Sequence, residues 1–205
     1  MANSNKIKLA MKRTIDIVIG IFGLMICTPT MIVVALVIKF DSPGPVIFTQ
    51  ERIGRHGKKF RMFKFRSMVR DAEQILKKDK HLNILYKNEY KLKADPRITK
   101  IGRFIRSHSF DELPQIFNVL LGDMSLVGPR PVTESELKKY GADVHKFLAL
   151  KPGITGLWQV SGRNNLTYEE RIKYDVKYVE TWSNLEDIKI LFKTAPVVFS
   201  GNGAY

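Results

Sequence analysis

Two adjacent carboxylates, Asp111 and Glu112, are the residues of this sequence best suited to carry out chemistry. They stand directly before a stretch in which Leu113, Ile116, Phe117 and Leu120 follow an i, i+3, i+4, i+7 spacing. That spacing predicts an amphipathic helix over 113–121, with Gly122 as its C-terminal cap. A helix N-terminus attracts anions because its first N–H groups are unpaired. Two carboxylates beside it suit a divalent cation: Mg²⁺ takes one or two carboxylates and completes its shell with substrate phosphate oxygens. A carboxylate can also attack phosphorus and form an acyl phosphate. Lys64, Arg66, Arg106 and Arg130 are the cations expected to neutralise phosphate charge at such a site.

A plainer reading competes with this one. Ser109 and Glu112 have the spacing of a capping box, and Asp111 could itself be the N-cap, with Pro114 tolerated in the first turn. Other chemistries find less support. There is no Walker A loop, no G-x-G-x-x-G, no H-E-x-x-H and no C-x-x-C. The four histidines are scattered, and the single cysteine, Cys27, excludes an internal disulfide.

Several elements are needed to position these residues. The Asp41-Ser42-Pro43-Gly44-Pro45 turn opens the main part of the chain, followed by a short strand at 46–48. Residues 52–66 hold seven Lys/Arg, and the alternation of Phe63 and Phe65 with Lys64 and Arg66 predicts a strand with one apolar and one cationic face. Gly54 and Gly57 suit the hairpin turn before it. Residues 71–92 read as a polar surface helix, 127–131 as a rigid loop, and 157–160 as a short strand. A capping box, Thr167-x-x-Glu170, starts a helix whose Ile172, Val176 and Val179 form one stripe. Residues 185–199 are apolar and amphipathic, interrupted by Pro196. The fold class expected is α/β (α+β), a small sheet with surrounding helices, divided into residues 1–40 and 41–205.

With 34 Lys+Arg against 20 Asp+Glu, the chain carries a net charge of +14 over 205 residues, which implies an anionic partner. Ile17 to Ile38 is an uncharged apolar run of 22 residues. Nucleic-acid binding gives no reason for such a run, so anionic lipid or a phosphate-bearing substrate is the better match. At ~1.5 Å per residue the run reaches roughly 33 Å, enough to cross the hydrocarbon. A cleaved signal peptide fits less well, because no small-residue cleavage site follows. Two features favour a re-entrant segment over a spanning one. Thr28-Pro29 lies at its middle, where proline bends or breaks a helix. Basic residues flank it on both sides, and positive charge marks the cytoplasmic face.

Longer stretches carry a resemblance. Lys12-Arg13 and Asp16 precede the apolar run, and DSPGPVIFTQERIGRHGKKF, FKFRSM, DPRITKIGRFIRSHSFDELPQIFNVLLGDMSLVGPRP, KPGITGLWQVSGRN and the Gly203-Ala204-Tyr205 terminus follow. In these stretches the sequence resembles the bacterial sugar transferase family, the monotopic phosphoglycosyl transferases. Within that family it is most like the catalytic domain of undecaprenyl-phosphate galactose and glucose phosphotransferases. The resemblance implies a re-entrant membrane helix broken at Thr28-Pro29, Asp111 as nucleophile, Glu112 as its metal or acid–base partner, and Mg²⁺ as cofactor. It implies transfer of a hexose-1-phosphate from a UDP-sugar to undecaprenyl phosphate with release of UMP, through a phosphosugar-aspartate, early in capsule, exopolysaccharide or O-antigen synthesis. N-acetylated or diamino sugars remain alternative donors, and a non-catalytic scaffold for glycan assembly an alternative role. Gln159 and Arg163 are candidates for nucleotide or sugar contacts. The setting implied is the cytoplasmic face of the bacterial inner membrane. The partners are inner-membrane lipid, downstream glycosyltransferases and, as one option, a second copy in a homodimer, with no nucleic acid.

Overall fold

The computed structural model describes residues 2–89, 92 and 95–200; the Gly203-Ala204-Tyr205 terminus and part of the 71–92 segment lie outside them. The chain opens with one long helix, α1 (Ala2–Asp41). A hairpin follows, β1 (Ile47–Ile53) and β2 (Lys59–Phe65), antiparallel with Ile47 opposite Phe65. Its turn uses His56 and Gly57, both at positive φ, as the glycine at 57 anticipates. Then come α2 (Ala72–Lys78), α3 (Lys80–Glu89), α4 (Lys100–Ser107) and α5 (Gln115–Leu121). After α5 the order is β3 (Ser125–Val127), α6 (Glu134–Leu137), α7 (Val144–Phe147), β4 (Gly153–Thr155), α8 (Leu157–Ser161), α9 (Tyr168–Thr181) and α10 (Asn184–Ser200). The fold is thus mixed α/β, with two small two-stranded sheets among helices.

Helix α1 lies along the rest of the protein. Its inward stripe runs through Lys12, Asp16, Gly20, Gly23, Met31, Val34 and Ile38. At Gly20 and Gly23 a side chain would press on Leu120 and Ile116 of α5, so the small residues let the two helices approach closely. The outward stripe is apolar and open: Phe22 is 59% exposed and Ile26 76%. By length and composition α1 is apolar enough over Asn5–Asp41 to enter a membrane, and its exposed apolar residues suit membrane association.

The break expected at Thr28-Pro29 is corrected. Pro29 lies inside one continuous helix and does not divide it. Thr28 Oγ1 bonds the Leu24 carbonyl at 2.6 Å, four residues back, within the same turn. Pro196 is likewise contained within α10. Neighbouring turns continue the backbone bonds around one missing donor, which is how apolar helices tolerate proline.

Both ends of α1 are fastened to the same domain. Near its start, Lys12 Nζ donates to Asp187 Oδ2 at 2.6 Å and to the Val127 carbonyl at 2.8 Å. Asp16 Oδ1 accepts from Ser125 Oγ and from the Leu126 N–H, each at 2.9 Å. Near its end, Val34 and Ile38 are buried with Phe65 and Ile105, and Met31, Ala35, Phe110 and Leu113 pack around them.

Three other expectations change. The strand read at 157–160 is helix α8; the strand of this region is Gly153–Thr155, paired in parallel with β3. A short apolar run does not separate strand from buried helix, and here it forms a helix on which Trp158 is buried. On β2, Phe60 and Met62 pack on Val119 and Met124, while Phe65 packs towards α1, so both faces of that strand are covered rather than one. On α5 the buried residues are Gln115, Ile116, Asn118 and Val119, while Phe117 stays exposed. The helix is sandwiched between α1 and the hairpin, so its polar Asn118 faces inwards.

The Lys12–Asp187 pair, with Tyr178 Oη donating to Asp187 Oδ1 at 2.7 Å, is nearly inaccessible to solvent. Lys12→Met would leave that carboxylate buried without its cation, at a cost of about 3–5 kcal/mol. Urea or thermal unfolding of the detergent-solubilised protein measures this; a loss below about 1 kcal/mol would mean that the pair does not fasten α1.

Candidate active site

Asp111 and Glu112 lie on a 3-10 turn, Phe110–Glu112, between α4 and α5. They cap neither helix. Pro114 stands at the N-cap position of α5, and Ser109 makes no side-chain cap bond. Instead Ser109 sits at φ +58, an uncommon conformation for a residue with a side chain, and its Oγ accepts from Arg163 Nη2 at 3.1 Å. The capping reading is therefore set aside. The sharp turn at Ser109 brings both carboxylates to the surface of β2.

Lys64 meets them there. Its Nζ is 2.8 Å from Glu112 Oε1 and 4.0 Å from Asp111 Oδ2. The register that allows this is set by Asn118, which is fully buried. Its Oδ1 accepts from the Phe63 N–H at 2.9 Å and its Nδ2 donates to the Arg61 carbonyl at 2.8 Å. One amide thus ties α5 to the edge of β2 one residue before Lys64.

The two carboxylates divide in character. Asp111 is the more enclosed, with 12% of its side chain exposed against 38% for Glu112. Burial, with Glu112 beside it, pushes Asp111 up to about 6, although Lys64 and Arg106 pull the other way. For Glu112 burial also acts upwards, but Lys64, Arg130 and Arg106 outweigh it and hold the carboxyl below its ordinary range. The result is one carboxylate neutralised by a lysine and one under-neutralised.

Arg130 comes from the 127–131 loop. That loop is held on β4 by close backbone contact: Gly128 N–H bonds the Thr155 carbonyl and Gly153 N–H the Pro129 carbonyl, each at 2.9 Å. A side chain at Gly153 would collide with Gly128 N at 2.1 Å, so these glycines are demanded by the packing. Asp175, buried on α9, accepts from the Arg130 N–H at 3.2 Å and from Tyr140 Oη at 2.8 Å. Burial pushes that acid up to about 7 despite both bonds. Burial works against the Arg130 charge too, yet Glu136 and Glu112 hold it in place. The Arg130 guanidinium stacks 5.5 Å from the Trp158 ring, and that of Arg171 lies 5.2 Å from it.

The structure thus gathers Lys64, Arg106, Arg130 and Arg163 around the dyad. Arg66 is not among them. Its guanidinium is spent on carbonyls at the end of α1, donating to Ser42 O at 2.6 Å and Pro43 O at 2.9 Å, so its role is to close the α1–β1 turn. Gln159 lies on α8; its Oε1 is buried without a hydrogen-bond partner among the described residues, as is Trp158 Nε1. Trp158 lies beside the Arg130 and Arg171 guanidinium groups, whereas the Gln159 Nε2 donates to the Ile154 carbonyl at 3.5 Å. Asn118, Asp175 and Trp158 escaped sequence reasoning. The one signal for Asn118 was a polar residue flanked by apolar ones in the interior of the helix.

A Mg²⁺ ion fits the donor set in one form. Among the described residues no group of three or more His, Cys, Asp or Glu could cage a metal. Two adjacent carboxylates, one of them under-neutralised, instead suit an ion whose shell is completed by substrate phosphate.

The raised Asp111 carboxyl has a consequence for stability. The folded protein holds this proton up to about pH 6 and the unfolded chain only to 3.8. Its ionisation therefore removes stability as pH rises from about 4 through 6, by about 3 kcal/mol in all. In metal-free protein Asp111→Asn is expected to unfold at higher temperature than the wild type at pH 8, and at the same temperature near pH 4. Equal stability at pH 8 would contradict the burial argument.

Comparison with known proteins fits this geometry. The chain matches the bacterial sugar transferase family over residues 7–201. It is 52% identical over 199 residues to the undecaprenyl-phosphate galactose phosphotransferase of Salmonella typhimurium, covering 95% of this chain and 42% of that protein. It is 53% identical over 202 residues to the galactosyl transferase CpsE of Streptococcus agalactiae, covering 96% and 44%. It is 40% identical over 209 residues to the UDP-glucose:undecaprenyl-phosphate glucose-1-phosphate transferase of Klebsiella pneumoniae, covering 98% and 43%. The chain therefore spans less than half the length of these relatives. With the family matched along almost its whole length, the chain belongs to the bacterial sugar transferases.

Proposed function

We propose that this chain transfers a hexose-1-phosphate from a UDP-sugar to undecaprenyl phosphate at the cytoplasmic face of the bacterial inner membrane, an early step of exopolysaccharide, capsule or O-antigen synthesis. The observation that carries the proposal is the division of labour in the dyad. Asp111 keeps an under-neutralised carboxylate, while Lys64 neutralises Glu112 beside it. A carboxylate with a raised pKa is a stronger nucleophile than an ordinary one and, at about 6, is still mostly ionised at neutral pH.

In the first step an Asp111 carboxylate oxygen attacks the phosphorus that bears the sugar. The bond from that phosphorus to the bridging diphosphate oxygen breaks, and UMP leaves with the electron pair. In the second step a phosphate oxygen of undecaprenyl phosphate attacks the same phosphorus. The Asp111 oxygen–phosphorus bond breaks, and the carboxylate is restored. Arg106 and Arg130 are positioned to balance the charge that builds on the phosphoryl oxygens. Asp111 and Glu112 would hold Mg²⁺, which when bound supplies further charge neutralisation. The two substrates need never be bound together, which suits a soluble donor and a lipid acceptor.

The attachment of α1 supports the membrane arrangement. Both its ends are bonded to one polar domain. A spanning helix would carry those ends to opposite faces of the bilayer, so the unbroken α1 lies along one leaflet with its exposed apolar face in the lipid. Phe110, one residue before Asp111, packs in the cluster around the end of α1. A lipid acceptor lying beside α1 would thus present its phosphate next to the nucleophile. The basic surface faces anionic lipid on the cytoplasmic side. Among donors, UDP-galactose is favoured over UDP-glucose, because the relatives at 52–53% identity are named for galactose and that at 40% for glucose.

UMP release from UDP-galactose, UDP-glucose and N-acetylated UDP-sugars, with undecaprenyl phosphate and Mg²⁺, tests the reading. Release is expected with UDP-galactose and lost on adding EDTA. Asp111→Asn is expected to lower it about 10³-fold or more with the fold retained, and Lys64→Met about 10²-fold. Turnover near normal in Asp111→Asn would sink the nucleophile assignment. Folded protein in lipid that releases UMP from none of these donors would overturn the proposed reaction.

A further inference from the structure

Gly122 ends α5 at φ +91, at the opposite end of that helix from the dyad. The point where its side chain would begin lies 3.5 Å from Arg13 Nη2 and 3.6 Å from Lys151 Nζ. Two cationic heads therefore border the same small space over the glycine. Arg13 is fixed in place, donating to the carbonyls of Val119 and Leu120 at the end of α5. Lys151 is half-buried and, among the described residues, forms no hydrogen bond and no ion pair.

The charges around Lys151 do not balance it. Arg13 and Arg55 act on it from α1 and from the hairpin turn. Asp16 also faces it, but the Oδ1 of that carboxylate already accepts from Ser125 Oγ and the Leu126 N–H. Asp123, beside Gly122, acts on it without an ion pair. Burial, then the two arginines, push the Lys151 ammonium below its ordinary range. An ammonium partly withdrawn from water beside like charges and without an acceptor is costly unless an anion joins it.

The location indicates which anion. Arg13 stands one helical turn before Ile17, where the uncharged run of α1 begins. The phosphate layer of a bilayer lies just outside its hydrocarbon core. We propose that the Lys151 ammonium, with the charge of the carbonyl-bound Arg13 beside it over Gly122, forms an anion site, separate from the Asp111–Glu112 site, that takes the phosphate of an anionic phospholipid headgroup. A lipid held there fixes the depth at which the start of α1 sits. The site does not depend on the transfer reaction, and its test reads binding rather than turnover.

The test uses the full chain in nanodiscs of phosphatidylcholine, with and without phosphatidylglycerol, and follows thermal unfolding. Phosphatidylglycerol is expected to raise the midpoint of the wild type by about 3–6 °C, as ligand at roughly ten times its dissociation constant would for a chain of this size. Lys151→Gln should lose that shift, Lys151→Arg should keep it, and Lys8→Gln, an equal charge removed from the same end of α1, should also keep it. Inorganic phosphate added to phosphatidylcholine nanodiscs separates the sources of the anion. An equal shift from phosphate alone, with none added by phosphatidylglycerol, would overturn the lipid assignment. The same shift in wild type and Lys151→Gln, or a loss as large in Lys8→Gln, would overturn the site.

Discussion

Two carboxylates on consecutive residues repel each other, and the proposed reaction requires both beside a cluster of cations. Lys64 is the group that makes this workable. At 2.8 Å it cancels Glu112 and, at 4.0 Å, only part of Asp111. Much of the fold serves that one placement. Asn118 locks α5 to the edge of β2, the turn at Ser109 swings the carboxylates towards the strand, and Arg163 holds that turn from the far side. A shift of β2 by one residue would turn Lys64 to the other face of the strand and leave the dyad without its cation.

A second constraint is that the membrane helix and the site are built together. The cluster around Val34 and Ile38 includes Phe110 and Leu113, which bracket the dyad. At the other end, Lys12 and Asp16 reach Val127 and Leu126, the strand that leads into the Arg130 loop. Helix α1 is therefore part of the structural frame of the candidate site. Arg66 belongs to the same frame: a cation that reads as substrate-binding instead closes the turn by which the chain leaves α1.

The apolar run, the hairpin and the α9 capping box were legible in the sequence because each depends on local spacing, whereas the spacing of Ser109 and Glu112 suggested a cap that does not form. Thr167 and Glu170 form their capping box as expected. The misread parts depend on tertiary contact. Residues 157–160 have the composition of a strand, but β4 ends at Thr155, and they form α8, which buries Trp158. Arg66 and Lys64 share one strand parity, and only packing directs one to backbone carbonyls and the other to carboxylates. Asn118 and Asp175 act through single long-range bonds that leave no periodic trace. Proline at 29 suggests a break by rule, yet α1 is continuous through it.

The central claim is that Asp111 becomes covalently attached to the phosphosugar. Mass spectrometry of the protein incubated with UDP-galactose and Mg²⁺, without acceptor, tests it most directly. The account predicts a hexose-phosphate adduct on the peptide containing Asp111, lost when undecaprenyl phosphate is added. UMP released only when the acceptor is present, with no adduct at any time, would contradict it and mean direct transfer between two bound substrates.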